Sequence, residues 1–236
     1  MNVSATIKKF GLEQAFKYLY KDPENNLLKL MDWADKFAGD EFVSQRKVVR
    51  EAMTDPGHPY YSYIRRLIQD IDPHVMQTTA VNFFINAALV GWPKQEEMRK
   101  KYGCNIPWTI LLDPTSACNL HCTGCWAAEY GNKLNLSVDE IDSIITQGKE
   151  LGVYFYIYTG GEPLVRKNDL IRICEKHSDC VFLCFTNATL IDEAFADEML
   201  RVGNFVPAIS LEGSEIATDG RRGSGVYQKV IQAMEL

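Results

Sequence analysis

Cys118, Cys122 and Cys125 stand in the run Cys118-Asn-Leu-His-Cys122-Thr-Gly-Cys125, separated by three and then two residues. A loop this compact can set three thiolates around one cuboidal iron–sulfur cluster, and Gly124 eases its tight path. Four irons with three protein thiolates leave one iron open. Such an iron can bind a small molecule directly, as an open coordination position serves a catalytic metal. A structural zinc site is the competing reading, but zinc usually takes four ligands and only His121 or Cys104 is at hand to complete the set. A purely structural cluster of thiols is the third.

The rest of the composition narrows the setting. The chain has 236 residues, seven of them cysteine, and a formal net charge of −6, which argues against a general nucleic-acid binder. Its opening residues, MNVSATIKKFGLEQAF, lack the apolar core of a secretory leader. A cytoplasmic location with reduced thiols is therefore expected, where closely spaced cysteines point to metal binding more than to disulfides. Cys174, Cys180 and Cys184 fit small buried hydrophobes on a helix and a strand. Residues 80–92, AVNFFINAALVGW, are too short to span a bilayer and contain Asn82 and Asn86. A buried helix is expected there, with a membrane-surface contact as the alternative.

Positioning the cysteine loop requires a scaffold, and the pattern supplies one. Residues 1–104 read as helices: Leu27, Leu28, Met31, Trp33 and Phe37 recur at near-helical spacing. Tyr60, Tyr61, Ile64 and Leu67 do so again after the break at Asp55-Pro56-Gly57, and Pro73 and Pro93 punctuate the next helix. From residue 105 short apolar runs alternate with amphipathic segments. TILLD (109–113), VYFYIY (153–158), CVFLCF (180–185) and FVPAIS (205–210) predict parallel strands buried on both faces. Helices are predicted near 137–151, 167–177 and 191–202, the first opened by a Ser137/Glu140 capping box and closed by Gly152. Repeated strand–helix units demand an α/β sheet or barrel, whose ligands bind at the carboxyl ends of the strands. Four segments fall at those ends: the cysteine loop, Gly160-Gly161-Glu162-Pro163, Thr186-Asn187, and Ser210-Leu211-Glu212-Gly213.

The cysteine spacing after a first strand and the Gly-Gly-Glu-Pro run after a second resemble the radical S-adenosylmethionine (SAM) superfamily, most closely its molybdenum-cofactor and peptide-modifying group. The resemblance covers residues 108–236 and implies an incomplete (β/α) partial barrel of about four β/α units, preceded by the all-helical region. It implies that Cys118, Cys122 and Cys125 ligate a [4Fe–4S] cluster whose fourth iron chelates the amino and carboxylate groups of SAM. Gly160, Gly161 and Glu162 would hold the SAM amino group, with Thr159 and Pro163 shaping the turn. Ser210 and Glu212 would lie near the ribose, and Arg222 would meet the carboxylate, with Arg221 as its rival. The reaction implied is reductive cleavage of SAM to methionine and a 5′-deoxyadenosyl radical, which abstracts hydrogen from an unidentified substrate. No side chain is expected to act as an acid–base catalyst in that step.

Three positions depart from the family's common pattern. Ser-x-Asp-Gly is here Ser210-Leu211-Glu212-Gly213, Thr-Asn-Gly is Thr186-Asn187-Ala188, and Gly124 stands where an aromatic is frequent, with Trp126 following. The resembling domain normally continues through further strands, so truncation after the fourth β/α unit is expected. A non-catalytic iron–sulfur or SAM-binding module is the alternative to an active enzyme. Implied partners are a small-molecule, peptide or lipid substrate and an external low-potential donor such as flavodoxin or ferredoxin.

Overall fold

The computed structural model describes residues 3–37, 39 and 43–236. It divides into two compact units, Met1–Val81 and Asn82–Leu236.

The first unit is helical: α1 (Val3–Leu19), α2 (Pro23–Phe37), α3 (Val43–Thr54), α4 (Tyr61–Asp70) and α5 (Pro73–Ala80). Local signals set these limits. The Asp72 carboxylate accepts from the His74 and Val75 amides at 2.8 and 3.2 Å, and Pro73 occupies the first turn of α5. Arg46 and Arg50 of α3 pair with Asp35 of α2 at 2.8 and 2.9 Å. Those ion pairs are partly exposed, where such pairs contribute little. Burial of Met31 contributes more, roughly 1.5–3 kcal/mol. Trp33, expected on the same face as Met31, is 66% exposed. Two residues along a helix is more than half a turn, so a side chain beside a buried Met31 points outward.

The second unit is built on a parallel sheet of β1 (Thr109–Thr115), β2 (Phe155–Gly160), β3 (Val181–Thr186) and β4 (Phe205–Ile209), in that spatial order. Helices α7 (Val138–Glu150), α8 (Lys167–Lys176) and α9 (Glu193–Val202) connect successive strands. The Ser137/Glu140 capping box that the sequence predicts is formed at α7. Because each strand lies beside its predecessor, crossovers of one hand keep the connecting helices on one face. This is how a barrel wall grows, whereas a doubly wound sheet reverses its order.

The register aligns Leu112 with Tyr158, Tyr158 with Cys184, and Phe182 with both Tyr156 and Phe205. These side chains form the helix-covered core with Ile141, Ile145, Leu170, Ile173, Cys174 and Phe195. The rings of Tyr158 and Phe182 stack 5.4 Å apart and nearly parallel. On the opposite face Leu111 is 57% and Phe185 47% exposed. The strands are thus buried on one face, not on both as the sequence predicts, because the connecting helices pack on one side. Cys174, Cys180 and Cys184 are wholly buried among these residues, as the sequence predicts.

Residues Val81–Gly91 are π-helical and run into α6 (Trp92–Tyr102), which ends at Gly103 in the left-handed region. The Asn82 amide donates to the carbonyls of Ser178 and Cys180 at 2.9 and 2.8 Å, and Asn86 donates to Asp179 at 2.9 Å. Gln95 of α6 donates to Gly152 at 2.8 Å. These bonds tie the segment to the turns entering β2 and β3. They attach residues 82–95 to the second unit. Ile85 and Ala87 are buried, while Phe84 is half exposed. Among the described residues, no helix is long and apolar enough to cross a membrane.

Candidate functional site

The cysteine loop leaves the carboxyl end of β1, and the ends of the other three strands hold it in place. Its first part is set by β2. The Gly161 and Glu162 amides donate to the carbonyls of Thr115 and Ala117 at 3.0 and 2.8 Å. A Cβ on Gly161 would lie 2.3 Å from the Ala117 carbonyl oxygen, and one on Gly160 would lie 2.6 Å from that of Thr115. Only glycines let the two backbones approach so closely.

Glu162 is 1% exposed, and its carboxylate joins β2 to β3. It accepts from the Leu164 amide at 3.0 Å, the Thr186 hydroxyl at 2.6 Å and the Asn187 amide at 2.7 Å. Burial pushes its pKa up, opposed by these donors and by the charge of Arg222. The side chain that the resemblance assigns to an amino group is thus engaged within the protein.

The turn after β3 grips the loop by side chains. Asn187 Nδ2 donates to Asn119 Oδ1 at 2.9 Å, Asn119 Nδ2 to Thr189 Oγ1 at 2.8 Å, and Thr189 Oγ1 to Asn187 Oδ1 at 2.7 Å. The three residues close a ring of hydrogen bonds beside Cys118. Sequence reasoning noted Asn187 but missed Asn119 and Thr189, since three scattered polar residues carry no periodic signal. Ala188 follows with φ 60°, the left-handed conformation that a glycine would adopt freely.

Two further helices complete the second unit: α10 (Glu215–Arg222), capped by Ser214, and α11 (Val226–Met234). The Thr123 amide in the cysteine loop donates to the Arg221 carbonyl at 2.8 Å. Ser210 is anchored after β4 by its amide, which donates to Thr186 at 2.9 Å. Glu212 pairs with Arg222, at 3.0 Å to Nε and 2.7 Å to Nη2, and also with Arg221. Both arginines hold the Glu212 carboxyl below its usual range. The Arg222 side chain is the more enclosed, 13% exposed against 46% for Arg221. Asp219 accepts from the Gly225 and Tyr227 amides and so braces its own loop.

The cysteines themselves are half-buried, and all seven in the chain are free thiols. Burial pushes the Cys118 and Cys122 thiols up; the Leu120 amide opposes this at Cys118, and Arg222 and Arg221 oppose it at Cys122. Those positive partners favour the thiolate that metal binding requires. His121 is exposed. Among the described residues, no three His, Cys, Asp or Glu side chains gather around a point that one metal ion could fill. The loop trio is accessible, in contrast to the sealed Cys174, Cys180 and Cys184.

Beside the loop, a cavity of about 480 Å³ is lined in part by Asp113, Trp126, Tyr130, Lys133, Gly160 and Gly161. The Trp126 and Tyr130 rings meet edge to face at 5.6 Å.

Known proteins share this half of the chain. An uncharacterized protein of Archaeoglobus fulgidus is 33% identical over 60% of the chain and 34% of its own length. The AdoMet-dependent heme synthase of Methanosarcina barkeri is 28% identical over 56% of the chain and 39% of its own. The crystal structure of Streptococcus suis SuiB superposes with a TM-score of 0.49 at 19% identity, covering 94% of the chain and 45% of that one. The chain spans little more than a third of the length of these curated relatives. The family model described as the Radical SAM superfamily matches residues 112–236, from within β1 through all four strand ends and the loop they hold. On that match, the chain belongs to the radical SAM superfamily.

Proposed function

We propose that residues 105–236 form the cofactor-binding wall of a radical SAM enzyme, preceded by a helical region at 1–104. Cys118, Cys122 and Cys125 would hold three irons of a [4Fe–4S] cluster. The observation that carries this reading is that segments after β2, β3 and β4 each bind the cysteine loop directly, through Ala117, Asn119 and Thr123. When bound and reduced, the cluster supplies one electron to the SAM sulfonium, giving methionine and a 5′-deoxyadenosyl radical that abstracts hydrogen.

The chain's own residues orient the cofactors. The backbone of Gly160 and Gly161, with Glu162 beside it, would meet the SAM amino group, and the Glu162 carboxylate ties the ends of β2 and β3 together. Arg222, enclosed and electrostatically coupled to both Cys122 and Glu162, suits the SAM carboxylate better than Arg221 does. Glu212 would keep it aimed there, and Ser210 and Glu212 would border the ribose. The substrate would be a small molecule, peptide or lipid, and the electron would come from a flavodoxin- or ferredoxin-like donor in the cytoplasm.

Anaerobic reconstitution with iron and sulfide tests the reading. We expect a brown protein holding about four irons per chain. Cys122→Ala should abolish assembly, and an intact cluster in that variant would overturn the ligand assignment. A colourless protein holding one zinc would exclude the cluster altogether. A second reading is a module that holds the cofactors without turnover. Production of 5′-deoxyadenosine on adding SAM and a strong reductant separates the two.

A further inference from the structure

We infer that Asn187 sets the reduction potential of the cluster by donating an N–H to the sulfur of Cys118, an assignment that rests on the cluster reading above. The orientation of its amide is fixed by its neighbours. Asn187 Oδ1 accepts two bonds from Thr189, at 3.0 Å from the amide and 2.7 Å from the hydroxyl. Its Nδ2 must therefore face the cysteine loop. One hydrogen goes to Asn119 Oδ1 at 2.9 Å; the other is directed at Cys118 Sγ, 4.0 Å away, at the outer edge of hydrogen bonding to sulfur. The Leu120 amide reaches the same sulfur at 3.4 Å.

The backbone of Asn187 is pinned independently, by its amide on the buried Glu162 carboxylate. The amide group is thus held from both ends and is nearly enclosed. A polar group fixed so firmly in a low-dielectric place acts strongly on nearby charge.

The sign follows from charge. One electron from an external reductant takes [4Fe–4S]²⁺ to [4Fe–4S]⁺, adding negative charge that is shared with the thiolate sulfurs. No proton moves and no bond breaks. A donor aimed at the sulfur stabilises the reduced form more than the oxidised one, so it raises the potential. Asn119 and Thr189 have no such contact and serve to position Asn187.

The test is redox titration of the full 236-residue chain after anaerobic reconstitution, read by visible absorbance and electron paramagnetic resonance. Asn187→Asp keeps the shape and the acceptor for Thr189 but sets an oxygen opposite the sulfur; its midpoint should fall below wild type. Asn187→Ala should also fall. Thr189→Val, which unlocks the amide without touching the sulfur, should shift in the same direction by less. A cluster with its full iron content and an unchanged midpoint in Asn187→Asp overturns the inference, since a residue that merely braces the loop would alter loading and not potential. Should Asn187→Ala fail to hold iron, Asn187→Asp and Thr189→Val decide. Wild-type protein that takes up no cluster refutes the ligand assignment instead, so the two failures are distinguishable.

Discussion

At the scale of single residues, position 188 shows how a local departure is absorbed. Ala188 sits at φ 60°, where a side chain costs about 1–2 kcal/mol. Its methyl group is fully buried, which returns about 0.8 kcal/mol. Ala188→Gly relieves the first and forfeits the second, so a net stabilisation of roughly 0.5 kcal/mol is expected. A urea-unfolding midpoint that moves downward in this variant would contradict the account. The cysteine trio and the Gly-Gly-Glu-Pro run were legible in the sequence because spacing alone defines them. What Glu162 does was not, since its three donors come from residues 164, 186 and 187, and only the parallel pairing of β2 with β3 brings the last two near. The pairing of Glu212 with Arg222 was hidden for a related reason: α10 folds back over the loop that follows β4.

At the scale of elements, the four strands and the helices between them were readable from apolar runs and caps. The bareness of one sheet face was not, because a continuous apolar run looks the same whether one side or both are covered. The contact between the end of β2 and the cysteine loop depends on backbone separation that no side chain tolerates. Gly161→Ala would set a methyl 2.3 Å from a carbonyl oxygen that belongs to the backbone, so the loop itself must shift. Destabilisation of roughly 1–3 kcal/mol is expected, with loss of iron loading, measured by urea unfolding and iron analysis. Full loading at wild-type stability in this variant would show that the approach is looser than described.

At the scale of the whole molecule, the two compact units meet in sequence at Val81 and Asn82. The helical pattern itself continues to Tyr102. Among the side chains that give residues 82–102 to the second unit are Asn82, Asn86 and Gln95, each bonded to a carbonyl in a turn entering the sheet. A chain of residues 82–236 should therefore fold cooperatively, while one starting at residue 105 should expose apolar surface and unfold at lower urea; equal midpoints would place the boundary later. The hydrogen bonds that hold the cysteine loop have a consequence for the fold without metal. Small zinc modules gain their shape from the metal itself, whereas this loop is already gripped by neighbours on three sides. On the proposed cluster reading, the loop's shape would then rest on protein contacts as well as on the metal, and stripping the cluster should leave the fold around it standing.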